Sequence, residues 1–376
     1  MRILYQLNQL GYGGTERVVL TLARHGLEHG HEVAIFLNSD FQSSAYYRRK
    51  LWSLLDSKAA KRFHLKYVQS LARKQEALAL VGKSLFIGHG LPNFEKSIRN
   101  FRPDIVHVNR GLEKDFYTES VWMQPKPKIL ETNIFGNSSN KAYLDQVDEI
   151  IFISHWLRSK SPWADAHKTK VIYNPVAEPI KSEGISLRKQ LGISSQAIVL
   201  GRLCRPDLDD GSLVLDIVKR LQNKYNLLHF VWLGAPSELL KNFARNTEQI
   251  HLLPASSNAE DLERFYGSLD ILLHYRIEGE TFGMVVAEAM IRGLPVVSHR
   301  STLDNAQAEL LLSNGPAGVI IDYPTPENFC DAISALIENP TRRDQLGKEG
   351  KRVAKEHFSE NIASTTYFQC YEEILS

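Results

Sequence analysis

Short apolar runs of strand length, each followed by a stretch with helical patterning, recur along this 376-residue chain and leave few folds open to it. In the first half they fall at residues 2–7, 32–37, 104–108, 128–131 and 149–153, and in the second at 197–201, 228–233, 270–274, 294–298 and 317–321. Helices are expected at 211–224, 258–267, 283–292, 326–338 and 341–356. Strands that alternate with helices in this way pair in parallel, with the helices covering both faces of the sheet. The fold class is therefore α/β, and two such halves imply two doubly wound, Rossmann-like domains; 376 residues also exceed the usual size of one core. The boundary is expected near Tyr173-Asn174-Pro175-Val176-Ala177-Glu178-Pro179, where two prolines interrupt regular structure just after Val171-Ile172. That gives a first domain at 1–175 and a second at 176–358. The last segment, 359–376, reads as a helix with Ser359 as N-cap and Tyr367, Tyr371, Ile374 and Leu375 on one side. With two domains, a pair of substrates can meet only in the cleft that separates them.

Charge narrows the partners. Lys+Arg number 45 against 43 Asp+Glu, a formal net charge of +2, whereas a dedicated nucleic-acid binder needs a basic excess to neutralise phosphates. No nucleic-acid partner is expected. The three cysteines, Cys204, Cys330 and Cys370, are odd in number and widely spaced, so neither a disulfide framework nor a zinc site is indicated. A reducing cytosol fits that pattern. Met1 to Leu7 runs straight into a strand without the features of a signal peptide, and no stretch approaches the roughly 20 apolar residues of a membrane span. The expectation is a soluble, cytoplasmic protein. Peripheral contact with the inner membrane surface stays open because the stretch from Tyr46 to Lys74 carries nine Lys or Arg, from Arg48 to Lys74, against Asp56 alone, interleaved with Trp52, Leu54 and Leu55. The same stretch also suits a solvated face with one core-facing stripe.

Two carboxylates eight residues apart carry the chemistry. Glu280-Thr281-Phe282-Gly283 falls on the loop after the run at 270–274, and Met284-Val285-Val286-Ala287-Glu288 opens the next helix. At about 1.5 Å rise per residue, Glu288 sits roughly one turn inside that helix, so both carboxylates can reach one extended ligand. Between them lies a helix N-terminus, whose unpaired N–H groups and positive dipole end suit an anion, and Gly283 lets the anion approach closely. Carboxylate, anion seat, carboxylate is the order that a nucleoside-diphosphate-sugar would need: one carboxylate for hydroxyls of the transferred sugar and one for the ribose, with the diphosphate between them beside Phe282, Gly283 and Met284. Arg202, at the end of the run at 197–201, is the expected diphosphate ligand, since a guanidinium grips two phosphate oxygens and stays charged as the leaving group develops charge. Gly11-Tyr12-Gly13-Gly14-Thr15-Glu16 forms a second phosphate-suited loop after the first strand. A nicotinamide fingerprint would need glycine where Glu16 stands, so that reading fails.

The string from Glu280 to Glu288, followed by Ala289-Met290-Ile291-Arg292-Gly293-Leu294-Pro295-Val296-Val297, resembles the signature of retaining glycosyltransferases of family 4, group 1. The resemblance spans nearly the whole chain and is strongest from about 250 to 358. It implies the GT-B arrangement of two Rossmann-like domains facing an interdomain cleft, the first binding the acceptor, the second the donor, with the last helix crossing back onto the first domain from Phe358-Ser359. It implies transfer of a sugar to a saccharide or lipid-linked acceptor, without cofactor or metal. Gly14 would lie beside the donor phosphate, Glu16 would orient its loop or meet the acceptor, and His251 to Pro254 would border the base. Two positions depart from the pattern. Related enzymes place a lysine a few residues after the clamp arginine, but here Asp207 and Asp210 stand there and Arg205 is the nearest cation. They often carry a histidine where Asn133 stands; Asn133 can bond a sugar hydroxyl but cannot exchange a proton near neutral pH. His107 and Ser154 are candidate acceptor contacts, with a satisfied core histidine and a helix cap as the structural alternatives. A catalytically silent relative that binds nucleotide-sugar, or an epimerase or phosphorylase on the same fold, are the rival activities.

Overall fold

A computed structural model describes residues 1–39, 70–110, 126–139, 141–181, 184–204, 211–234 and 236–376. The chain forms two compact units, Met1–Pro175 together with Ala363–Ser376, and Val176–Ile362.

The first unit is built on seven strands: β1 (Arg2–Leu7), β2 (Glu32–Asn38), β3 (Leu85–Gly88), β4 (Ile105–Arg110), β5 (Lys128–Asn133), β6 (Glu149–Phe152) and β7 (Thr169–Val171). Their order is β3-β2-β1-β4-β5-β6-β7, and every pairing is parallel. Leu4 lies level with Ala34 on one side and Val106 on the other, and none of the three has exposed surface. Burial on both faces explains why these strands read as continuous apolar runs rather than alternating ones. The helix Glu360–Leu375 supplies Tyr367 and Tyr371 to this core, both fully buried. Ser359 was expected to cap that helix; its Oγ instead donates to Lys355 O at 3.0 Å, closing the preceding helix Pro340–His357.

The second unit holds β8 (Ile198–Leu203), β9 (Leu228–Leu233), β10 (Ile250–Leu253), β11 (Ile271–Leu273), β12 (Val296–His299) and β13 (Gly318–Ile321), in the order β10-β9-β8-β11-β12-β13. All pairings are again parallel. The strand order reverses between β8 and β11, and ligands of open α/β sheets bind beyond the carboxyl ends of the strands at such a reversal. The helices Gly211–Lys224 and Pro326–Glu338 cover one face, where Val214, Ile217, Phe230, Phe329 and Ile333 share one core. Pro326 takes the first helical position, where its missing N–H costs nothing, and Thr325 Oγ1 accepts from Asn328 N at 3.2 Å.

No helix among the described residues is long and apolar enough to cross a membrane. Of the basic stretch from Tyr46 to Lys74, residues 46–69 lie outside the described residues. Arg73 is buried rather than displayed, its Nη1 2.8 Å from Glu76 Oε2.

Candidate active site

The loop after β11 is fastened along its length to the loop after β12. Asp304 N donates to Glu278 O at 2.8 Å, Ala306 N to Glu280 O at 2.9 Å, and Ser301 Oγ to Ile277 O at 2.9 Å. Gln307 accepts from Glu280 N through Oε1 at 3.0 Å and donates through Nε2 to His299 O at 2.9 Å. His299 bridges the two loops, with Nε2 2.9 Å from Arg276 O and Nδ1 2.7 Å from Arg300 O. Gly279 has φ +74°, and a Cβ there would overlap Asp304 O, so only glycine fits. These bonds fix the backbone that carries Glu280.

The Glu280 carboxylate is about one-fifth exposed. His274 Nε2 lies 3.5 Å from its Oε1, and Arg276 Nη1 lies 3.6 Å from its Oε2. His274 is buried and held by its other ring nitrogen, Nδ1, 2.8 Å from Ser298 Oγ. Three residues beyond Glu280, Gly283 precedes the helix Met284–Ile291 with φ +100° and gives it no side-chain cap. Phe282 is buried, edge-on to Phe358 with ring centroids 6.0 Å apart, while Met284 is half-buried. Glu288 is buried one turn into the helix, and its Oε2 accepts from Tyr266 OH at 2.8 Å. Tyr266 is itself covered by the Arg292 guanidinium, 5.0 Å from its ring centroid.

Arg202 ends β8 almost fully buried, with its guanidinium 5.0 Å from the Trp232 ring and Nη1 donating to Tyr275 O at 2.8 Å. The carbonyl it holds belongs to the loop of Glu280, so the expected clamp arginine and the expected sugar carboxylate share one scaffold. Arg205, Asp207 and Asp210 lie outside the described residues. His251 pairs with His229 across β10 and β9, Nε2 to Nδ1 at 3.0 Å, and burial holds both imidazoles below their ordinary pKa.

In the first unit, Gly14 opens the helix Gly14–Glu28, and the buried Glu16 carboxylate folds back over Gly13, where a Cβ would overlap its Oε2. That geometry fits the loop-orienting role. Asn133 is buried at the end of β5, where its Nδ2 donates to Glu131 Oε1 and Asn137 O, both at 2.9 Å, and its Oδ1 accepts from Gly136 N at 2.8 Å. Its amide is engaged in shaping the loop 133–137. His107 has no exposed surface, and Nδ1 and Nε2 lie 2.6 Å from Tyr371 OH and 2.7 Å from Thr132 Oγ1. Burial pushes it down to a pKa of about 3. Both ring nitrogens are thus satisfied inside the core, as a structural histidine requires. Ser154, also without exposed surface, accepts from Leu157 N at 3.1 Å and caps the helix His155–Ser159. Both side chains are fully buried and bonded within the first unit.

Sequence reasoning missed His274, Arg276, Tyr266 and Gln307. The first two stand just beyond β11 and could have been flagged by position alone. Nothing in the sequence pairs Tyr266 with Glu288. A cavity of about 630 Å³ bordered by Gln222, Leu228, Phe243 and Gln249 lies at the amino ends of β9 and β10, opposite to this site.

Two doubly wound parallel sheets, each with its candidate ligands at the carboxyl ends of the strands, define the class of this protein as α/β of the GT-B kind. Residues 194–339 match the family model described as Glycosyl transferases group 1. Spore coat protein SA of Bacillus subtilis (strain 168) is 24% identical over 311 residues, 73% of this chain and 80% of that one. D-inositol 3-phosphate glycosyltransferase of Corynebacterium kroppenstedtii is 27% identical over 177 residues, 43% of this chain and 37% of that one. The crystal structure of Anabaena Alr3699/HepE in complex with UDP and glucose is similar with a TM-score of 0.66 at 14% identity, covering 99% of each chain. The match to the glycosyl transferases group 1 family thus covers residues 194–339, and the whole chain has the GT-B fold.

Proposed function

We propose that the chain is a retaining, metal-independent glycosyltransferase that moves a hexosyl group from a nucleoside-diphosphate-sugar to an acceptor hydroxyl on a saccharide or lipid-linked acceptor. The second unit binds the donor and the first the acceptor. One observation carries the reading: Glu280 and the glycine-led start of Met284–Ile291 stand three residues apart on a loop whose backbone is pinned. Such a pair offers an acceptor for sugar hydroxyls beside a seat for phosphate. Glu288 takes the ribose, and Phe282 and Met284 flank the seat. The UDP named in the Anabaena complex, and the glycosyltransferase named among the relatives, support the donor class.

In the reaction the bond from the anomeric carbon to the donor phosphate oxygen breaks, and a bond from that carbon to the acceptor oxygen forms on the same face. The acceptor proton passes to the departing phosphate oxygen, so no protein base is needed. That accords with Asn133, which cannot exchange a proton, in place of a histidine. Arg202 stabilises the charge growing on the diphosphate. The reaction takes place at the cytoplasmic side, with peripheral membrane contact where the acceptor is lipid-linked.

A panel of UDP-, GDP- and ADP-hexoses, assayed with candidate acceptors in the presence of chelator, tests the proposal. Transfer with retained anomeric configuration is expected, and Glu280→Gln should lower kcat/KM by roughly 100-fold, the loss of one charged hydrogen-bond acceptor at the transition state. Donor conversion without acceptor would establish the epimerase reading instead. Tight donor binding with no release of nucleoside diphosphate would establish the silent one.

A further inference from the structure

We infer that Arg276 is a second cation of the diphosphate site, held in reserve by two carboxylates until the donor arrives. The inference rests on the donor reading above. A guanidinium has five N–H donors, and buried donors are normally satisfied. Arg276 is about three-quarters buried, yet among the described residues its buried Nε has no hydrogen-bond partner. Its carboxylate neighbours stand outside hydrogen-bond range, Glu278 Oε2 3.6 Å from Nε and Glu280 Oε2 3.6 Å from Nη1. Charge is compensated there while donor capacity is left unused, and anionic oxygens would fill it.

The position suits that ligand. Arg276 follows Tyr275, whose carbonyl accepts from Arg202, so both guanidinium groups rest on one stretch of backbone at the strand-order reversal. His299 and Asp304 fix the flanking main chain, leaving the side chain as the movable part. Arg202, almost fully buried and already bonded to a carbonyl, leaves much of a diphosphate's charge unbalanced. As the diphosphate settles on the start of Met284–Ile291, Arg276 turns to its oxygens and releases both carboxylates. Glu278, half exposed, moves into solvent. Glu280 keeps His274 on Oε1, and its Oε2 no longer faces the Arg276 guanidinium. Arrival of the phosphate therefore readies the sugar contact.

The test is the phosphate-specific part of affinity: the ratio of Kd for a nucleoside monophosphate to Kd for the matching diphosphate, by calorimetry with UMP/UDP, GMP/GDP and AMP/ADP. Arg276→Gln should shrink that ratio by roughly 10- to 100-fold, the worth of hydrogen bonds to a charged group, with Arg276→Lys in between. Glu278→Gln, which frees the arginine, should tighten diphosphate binding by roughly 2- to 5-fold. This gain cannot come from a misfolded variant. An unchanged ratio in Arg276→Gln, or weaker diphosphate binding in Glu278→Gln, overturns the inference while the donor reading stands. Failure of the wild-type chain to bind any of the three diphosphates overturns the donor reading itself.

Discussion

Acid should loosen the first unit through His107, by an amount that follows from its burial. In the folded chain its ring is fully buried between Tyr5, Tyr367 and Tyr371, and its pKa falls from the ordinary 6.5 to about 3. In the unfolded chain it takes up a proton near pH 6.5 while the native state does not, so its contribution is complete above that pH. Below it, stability declines by about 1.4 kcal/mol per pH unit until the folded ring also protonates near pH 3. At pH 4.5 the loss attributable to His107 is about 3 kcal/mol, a large part of the stability of an ordinary domain. His25, His31, His229 and His251 are also held below their ordinary values, so the wild-type slope is not His107 alone. His107→Gln isolates it, because glutamine can bond Tyr371 and Thr132 without titrating. Urea unfolding of both proteins from pH 7.5 to 4.5 gives the difference directly. The wild type should lose about 3 kcal/mol more than the variant over that range; parallel loss in the two would refute the buried, neutral histidine.

Gly283→Ala and Gly279→Ala should separate two kinds of strain. At Gly283 the nearest atoms to a new Cβ are 3.6 Å away, so only the positive φ is costly and destabilisation should be about 1–2 kcal/mol by urea titration. At Gly279 the Cβ would also overlap Asp304 O, and the second unit should lose markedly more stability; equal effects at the two sites would contradict the loop geometry. Tyr266→Phe removes the hydroxyl that holds Glu288 and should cost about 1.5–3 kcal/mol of stability, read as a lowered unfolding midpoint. A midpoint equal to that of the wild type would mean that Glu288 is oriented by other groups.

Both sheets were legible because buried parallel strands are written as unbroken apolar runs, such as Ile198-Val199-Leu200, whose side chains are mostly hidden on both faces. The edge strand Leu85–Gly88 escaped notice: it is four residues long and mostly half-exposed, so its periodicity is faint. Gly90–Phe101 was hidden by a glycine and Pro92 in its first turn, positions that a helix start tolerates. Tyr367 and Tyr371 fell on the buried side that their spacing implies, but Leu375 is 40% exposed, as the stripe fades at the chain end. In the site, the carboxylates and the glycine were readable from local order along one loop and one helix. His274 and Ser298, twenty-four residues apart, meet only because β11 and β12 are neighbours, and no local pattern encodes that. His107 looked functional because strand ends often carry ligands; its core role depends on a tyrosine 264 residues away.

A crystal structure with a nucleoside-diphosphate-sugar tests the central claim most directly. The account predicts diphosphate density against the backbone N–H groups of Gly283, Met284 and Val285, with Arg202 on the phosphate side, a sugar hydroxyl on Glu280 and the ribose on Glu288. Density for the donor at the amino ends of the strands, or a diphosphate that leaves the start of Met284–Ile291 uncontacted, would contradict it.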